Sequence, residues 1–269
     1  MDKKRSNSLL HPYRNENLLK CKRSQVTILI IIALIIVVGI IAVFLVFKGP
    51  GLKVDNTEDP KSFIRACVSD VLESEEQNIF NTNGYLSSID NHIVYLGERV
   101  PYLCKASEFY AACVPQEPAL IEKIRKQADI NVKKDVENCF SALVNNLKKS
   151  GDVEEGSLII NFEIKQGKIS LHMDKNIDFT KGDEKNFYDS FSADVPSPLY
   201  NLLATELAII NFESTYCEFN RLGWMNAYRD ISIKLFRASD QTKVYTLIDK
   251  PSGKEIKFAV KTCLLPNGI

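Results

Sequence analysis

Histidine is scarce in this chain, three among 269 residues, and tryptophan occurs once. His11, His92 and His172 stand far apart, so neither an H-E-x-x-H zinc helix nor a pair of imidazoles at ligand spacing exists. No C-x-x-C occurs among the seven cysteines, which removes the usual zinc-ribbon and redox motifs. There is no G-x-S-x-G for a nucleophile elbow, and no glycine run ending in Lys-Ser or Lys-Thr for a phosphate loop. Asparagine is plentiful, yet no N-x-[ST] acceptor appears, which disfavours a glycosylated eukaryotic ectodomain and fits a prokaryotic surface. Charge of one sign is not in excess either: 34 basic residues balance 34 acidic ones. A nucleic-acid partner would want a basic face, so none is expected, and no cofactor or metal fingerprint is present. An enzyme would need a site assembled from residues distant in sequence.

What is present begins with an apolar run. Residues 26–47 form 22 consecutive positions without charge. As a helix they would extend roughly 33 Å, which matches a hydrocarbon core of about 30 Å. Each Ile, Leu, Val or Phe favours insertion by roughly 0.3 to 0.6 kcal/mol, and no charge opposes the sum. The run is longer than the apolar core of a cleaved secretory signal, and it ends in Val46-Phe47-Lys48 without a small-residue exit site. It reads as a transmembrane helix that stays. The flanks set its direction. Seven basic residues against Asp2 and Glu16 precede it, whereas the following "KGPGLKVDNTEDP" is nearly balanced. The positive-inside bias keeps the leader, residues 1–25, in the cytoplasm and sends residues 48–269 across the cell membrane, outside the cell. The exported part then holds 27 basic and 32 acidic residues and is mildly acidic.

The junction Lys22-Arg23-Ser24-Gln25, followed at once by the apolar run, resembles the class III signal of archaeal type IV pilin-like proteins. The resemblance implies cleavage between Ser24 and Gln25, with the helix left on the mature chain, and offers a pilin-like surface subunit that packs against copies of itself. A wider resemblance spans residues 25–262. "SFIRACVSDVLE", "NGYLS", "VENCF" and "YTLIDKPSGKEIKFAVKT" are similar to a group of uncharacterised archaeal single-pass membrane proteins, which implies topology and no chemistry.

The anchor sorts the cysteines. Cys21 lies on the reducing side; Cys67, Cys104, Cys113, Cys139, Cys217 and Cys263 lie outside, an even number in an oxidising setting. Six cysteines allow 15 pairings. Cys67 and Cys139 sit on the apolar stripes of two expected helices, and they bridge naturally if the stripes face each other. Cys104 and Cys113 flank a short segment and would close a local loop, leaving Cys217 with Cys263. The competing reading is six buried thiols.

The exported part reads as a linker (residues 48–59), a helical portion (60–150) and a mixed portion (151–269). Asp59 suits a cap and Pro60 a first helical position. Phe63, Ile64, Cys67, Val68, Val71 and Leu72 recur at helical spacing, and Gly84 offers a stop. "HIVYL" suggests a short strand. A second helix is expected from Pro118 to Lys149, ended by Gly151. "SLIINFEIKQGKISLHM" then alternates with period two, and Gln166-Gly167 turns it into a hairpin. A third helix follows from Ser197 to Tyr216, and "ISIKLFRA", "KVYTLID" and "EIKFAVKT" close the chain as strands. Three helices and about five strands make an α+β class.

Three local clusters remain. Ser252 and Lys254 in "DKPSGKE" read as a turn between two strands. Glu73, Glu75 and Glu76 read as the solvated face of the first helix. Trp224, Tyr228 and Tyr216 read first as core packing and second as an aromatic contact patch. The whole is a signal-anchored, single-pass membrane protein presenting a structural or interaction domain to the lipid bilayer's outer side. Its partners would be other envelope proteins, surface polymers or ligands.

Overall fold

Pro60 opens helix α1 (Pro60–Asn81) from a position where its missing N–H costs nothing. The Asp59 carbonyl, and not its carboxylate as expected, accepts the first amides, from Ser62 and Phe63. A computed structural model describes residues 31, 33–37, 59–84 and 91–265 of the chain, in two compact units, Met1–Thr57 and Glu58–Ile269. In the first unit, residues 31 and 33–37 are helical and exposed. The rest of the apolar run, with Cys21, Ser24 and Gln25, lies outside the described residues. No helix among the described residues is long and apolar enough to cross a membrane.

The second unit is α+β. Its described residues form four helices and ten strands, where three and about five were expected. In α1, Ile64, Val68, Leu72 and Ile79 are buried at spacings of four, four and seven. They pack on α2 (Leu120–Leu147), whose buried stripe includes Ile124, Ala128, Val132, Val136, Cys139 and Leu143. Gly84 takes a positive φ of 80° as the chain leaves α1, and its amide donates to the Ile79 carbonyl.

Both helices lie on an antiparallel sheet of four strands, β4 (Asp152–Glu155), β5 (Ile159–Lys165), β6 (Lys168–Lys181) and β7 (Glu184–Pro196). One edge of the long β6 pairs with β5 along Lys168–Asp174 and then with β4 along Ile177–Thr180. The other edge pairs with β7 throughout. A bulge at Lys175 and Asn176 marks the change of partner, where the Asn176 carbonyl accepts from Gly156 and the Lys175 ammonium reaches the Gly156 carbonyl. The expected hairpin at Gln166-Gly167 is there, with Lys165 opposite Lys168.

The second sheet has six strands. Its path runs β1 (His92–Tyr95), β2 (Glu98–Lys105), β10 (Glu255–Lys261), β9 (Lys243–Asp249), β8 (Ile231–Arg237), and β3 (Val114–Pro115) pairs with β2. The pairing of β10 with β2 is parallel; the others are antiparallel. Strand β9 is buried on both faces, which fits its run of Val244, Tyr245 and Leu247. Helix α3 (Leu199–Tyr216) touches both sheets, and the short α4 (Arg221–Ala227) packs on β8. One apolar core joins the helices and sheets, from Leu72 and Phe140 through Phe162 and Leu171 to Leu247 and Phe258.

Three disulfides tie these elements together. Cys67–Cys139 links α1 to α2, Cys104–Cys113 closes the loop between β2 and β3, and Cys217–Cys263 joins the end of α3 to the chain beyond β10. Their Cα atoms are 6.0, 5.3 and 5.8 Å apart, within the normal span of a bridge. Position along the two apolar stripes thus anticipated the long-range pair.

Candidate functional site

The segment that follows α3 carries a chain of aromatic rings. Phe219 is buried and meets Phe212 of α3 at 5.7 Å and Trp224 of α4 at 5.6 Å between ring centroids. Trp224 in turn lies 4.5 Å from Tyr228, and Phe212 lies 5.9 Å from Tyr216. Helix α4 has no buried residue of its own, so these contacts hold it. Asn220 caps it by accepting the Gly223 amide at 3.0 Å, and the Met225 sulfur accepts the Ile233 amide.

Between α4, the first turns of α3 and the β5–β6 turn lies a cleft of about 610 Å³. Tyr200, Trp224 and Tyr228 give it aromatic walls; Gln166, Asn201, Arg229 and Asp230 supply polar groups. None of these four side chains has a hydrogen-bond or ion-pair partner among the described residues. The Trp224 Nε1 is shielded from water and also lacks an acceptor. A volume in this range with a few convergent polar groups is typical of small-ligand sites.

Core packing, the first sequence reading of the aromatic trio, is therefore corrected for two of its members. Tyr228 is 51 % exposed and Tyr216 is 69 % exposed. Trp224 is half-buried. Tyr216 belongs to the ring chain through Phe212 and not to the cleft.

A smaller cleft of about 380 Å³ contains Ser252 and Lys254. These two do not form a nucleophile and base. The Ser252 hydroxyl donates to Asp249 at 2.6 Å and shapes the turn between β9 and β10, as expected. The Lys254 ammonium donates to Glu76 at 2.5 Å and lies over the Phe80 ring. Lys257, also lining it, is paired with Glu98 and Glu255. Its charges are committed, and the aromatic cleft is the better candidate.

Glu75 and Glu76 do not share a solvated face with Glu73, contrary to the sequence reading; both are buried. Glu75 accepts from Asn131 of α2 at 2.9 Å, and burial raises its pKa above the ordinary carboxylate value. Glu76 is drawn in by Lys254, a partner 178 residues away. His172 stands on the exposed face of β6, 3.1 Å from Glu163, whose carboxyl is held below its usual range by Lys165 first and His172 second. His92 lies on β1, far along the chain from His172 and in the other sheet. Among the described residues, no three His, Cys, Asp or Glu side chains gather to hold a metal ion.

Two buried acids on α3 had no sequence signal beyond their type. Glu206 is 1 % exposed, and neither carboxylate oxygen has a partner. Glu213, one heptad on, meets Lys243 and Tyr245 of β9. No protein-family description, curated protein or solved structure matches this chain.

Proposed function

We propose that this chain is a single-pass, signal-anchored membrane protein that holds a disulfide-supported recognition domain outside the cell membrane, with its N-terminus in the cytoplasm. The observation that carries this reading is complete pairing: every cysteine downstream of the apolar run belongs to a bridge. Stable disulfides belong to oxidising compartments. The 22-residue charge-free run and its basic flank supply a route there. The aromatic cleft is the contact surface of the domain, because its polar groups are not used by the fold itself.

Topology is tested on the full chain in intact cells. Protease added outside should digest the domain, and a mass-tagged maleimide should label its thiols only after reduction. A domain that resists protease until the cells are lysed, with thiols that label without reductant, would refute export.

A further inference from the structure

We infer that the cleft between α3 and α4 binds a neutral saccharide, a step that gives a ligand class to the recognition surface proposed above. A pyranose ring offers two chemistries at once: an apolar face of C–H groups and a rim of hydroxyls. The cleft matches both. Tyr200, Trp224 and Tyr228 present aromatic walls for the apolar face, and the ring chain through Phe219 fixes the Trp224 plane. Gln166, Asn201 and Asp230 carry planar donor and acceptor groups with no partner in the protein, suited to vicinal hydroxyls.

The same inventory argues against other ligands. Among the described residues Arg229 is the one cation that lines the cleft, and Asp230 lines it too, so a phosphate or carboxylate would meet opposed charges. A lipid chain or an apolar peptide face would bury four polar side chains without hydrogen bonds. A neutral, hydroxyl-rich ligand satisfies all of them.

Trp224 is the only tryptophan in the chain, so its fluorescence reports directly on the cleft. The full chain, purified in a detergent without a sugar headgroup, is titrated with a panel of short neutral hexose and N-acetylhexosamine oligomers. A saturable change in Trp224 emission is expected for at least one of them. Tyr228→Ala and Asn201→Ala should each weaken it by about ten-fold, and Asn201→Ala should leave the melting temperature unchanged, since its side chain has no partner among the described residues. Oligomers coupled to a support through their reducing ends separate the sources: retention means an immobile surface polymer, and loss of binding means a free sugar. A flat response across the panel, binding indifferent to both substitutions, or a saturable response to peptides alone would overturn the assignment. The titration does not depend on topology, so a protease-protected domain would sink export and leave this result standing.

Discussion

Lys243 and Glu213 form an ion pair out of reach of water. The ammonium lies 2.7 and 3.0 Å from the two carboxylate oxygens, and the side chains are 5 % and 0 % exposed. Lys243 also donates to the Cys217 carbonyl at 2.6 Å, at the residue that ends α3 in a left-handed conformation. The Tyr245 hydroxyl donates to the same carboxylate, and burial, ahead of that bond, pushes the phenol well above its ordinary pKa. The pair thus fastens the end of α3 to β9, next to the Cys217–Cys263 bridge. Its partners sit 30 residues apart, a separation that no local pattern announces.

Removing one partner should therefore cost far more than removing both. Lys243→Met leaves a carboxylate buried without a counter-charge and is expected to destabilise the domain by about 3 to 5 kcal/mol. The double variant Lys243→Met with Glu213→Leu should recover much of that loss, because two desolvation penalties disappear with the attraction, although the buried Tyr245 hydroxyl then loses its acceptor. Denaturant melts of the three proteins decide the matter, and a double variant no better than the single one contradicts it.

The disulfides should rank by the length of chain they enclose. Cys67 and Cys139 are separated by 72 positions, Cys104 and Cys113 by 9. Loop-closure entropy assigns about 4.4 kcal/mol to the first and about 2.7 to the second. Replacing both cysteines of each bridge with serine and comparing unfolding midpoints tests the order. Equal losses would mean that packing around the sulfurs, and not chain entropy, sets their worth.

Much of this architecture could be read before any coordinate. The stripes of α1 and α2 follow a helical period, and Gln166-Gly167 stands between two arms that alternate, so those elements were legible. Strand β7 was not. Its inner half buries Phe191, Ala193 and Val195, but its outer half, from Glu184 to Phe187, is exposed and charged, and the alternation fades there. Strand β4 is short and acidic, and its pairing with β6 defines it. Glu76 looked solvent-facing because its partner Lys254 lies in the last hairpin. The cleft was half legible. Residue type named Trp224 and Tyr228 but not Tyr200, and only tertiary packing decides that Tyr228 reaches solvent while Phe219 is buried.

Glycine at 151 should prove indispensable for a steric reason, and glycine at 167 for a conformational one. A Cβ at 151 would lie 2.2 Å from the Thr180 carbonyl oxygen, a backbone atom that the β4–β6 ladder holds in place. Gly151→Ala is expected to cost about 3 kcal/mol or more through forced backbone shifts. At Gly167 nothing stands within 4 Å, but φ is +80°. Gly167→Ala should cost about 1 kcal/mol from the left-handed backbone alone. Thermal melts that show the two substitutions equal, or reversed, would contradict the distinction.

Glu206 should make the domain less stable as the solution becomes more alkaline. Its carboxyl is buried with neither oxygen partnered, and desolvation raises its pKa well above the ordinary 4.5. The folded state therefore holds a proton that the unfolded chain releases near pH 4.5. Below that pH both states are protonated and the contribution to stability is fully present. Above it the unfolded state binds fewer protons than the folded one, so unfolding is favoured by up to about 1.4 kcal/mol per pH unit. The loss continues until the pH passes the raised folded pKa, where the folded state releases its proton too. Glu206→Leu, close in volume and without the ionisable group, should flatten this slope and raise stability at neutral pH. Unfolding free energies measured for both proteins from pH 4 to pH 8 provide the check. Parallel curves for the two would show that Glu206 finds a partner or water in solution, and that its burial carries no proton linkage.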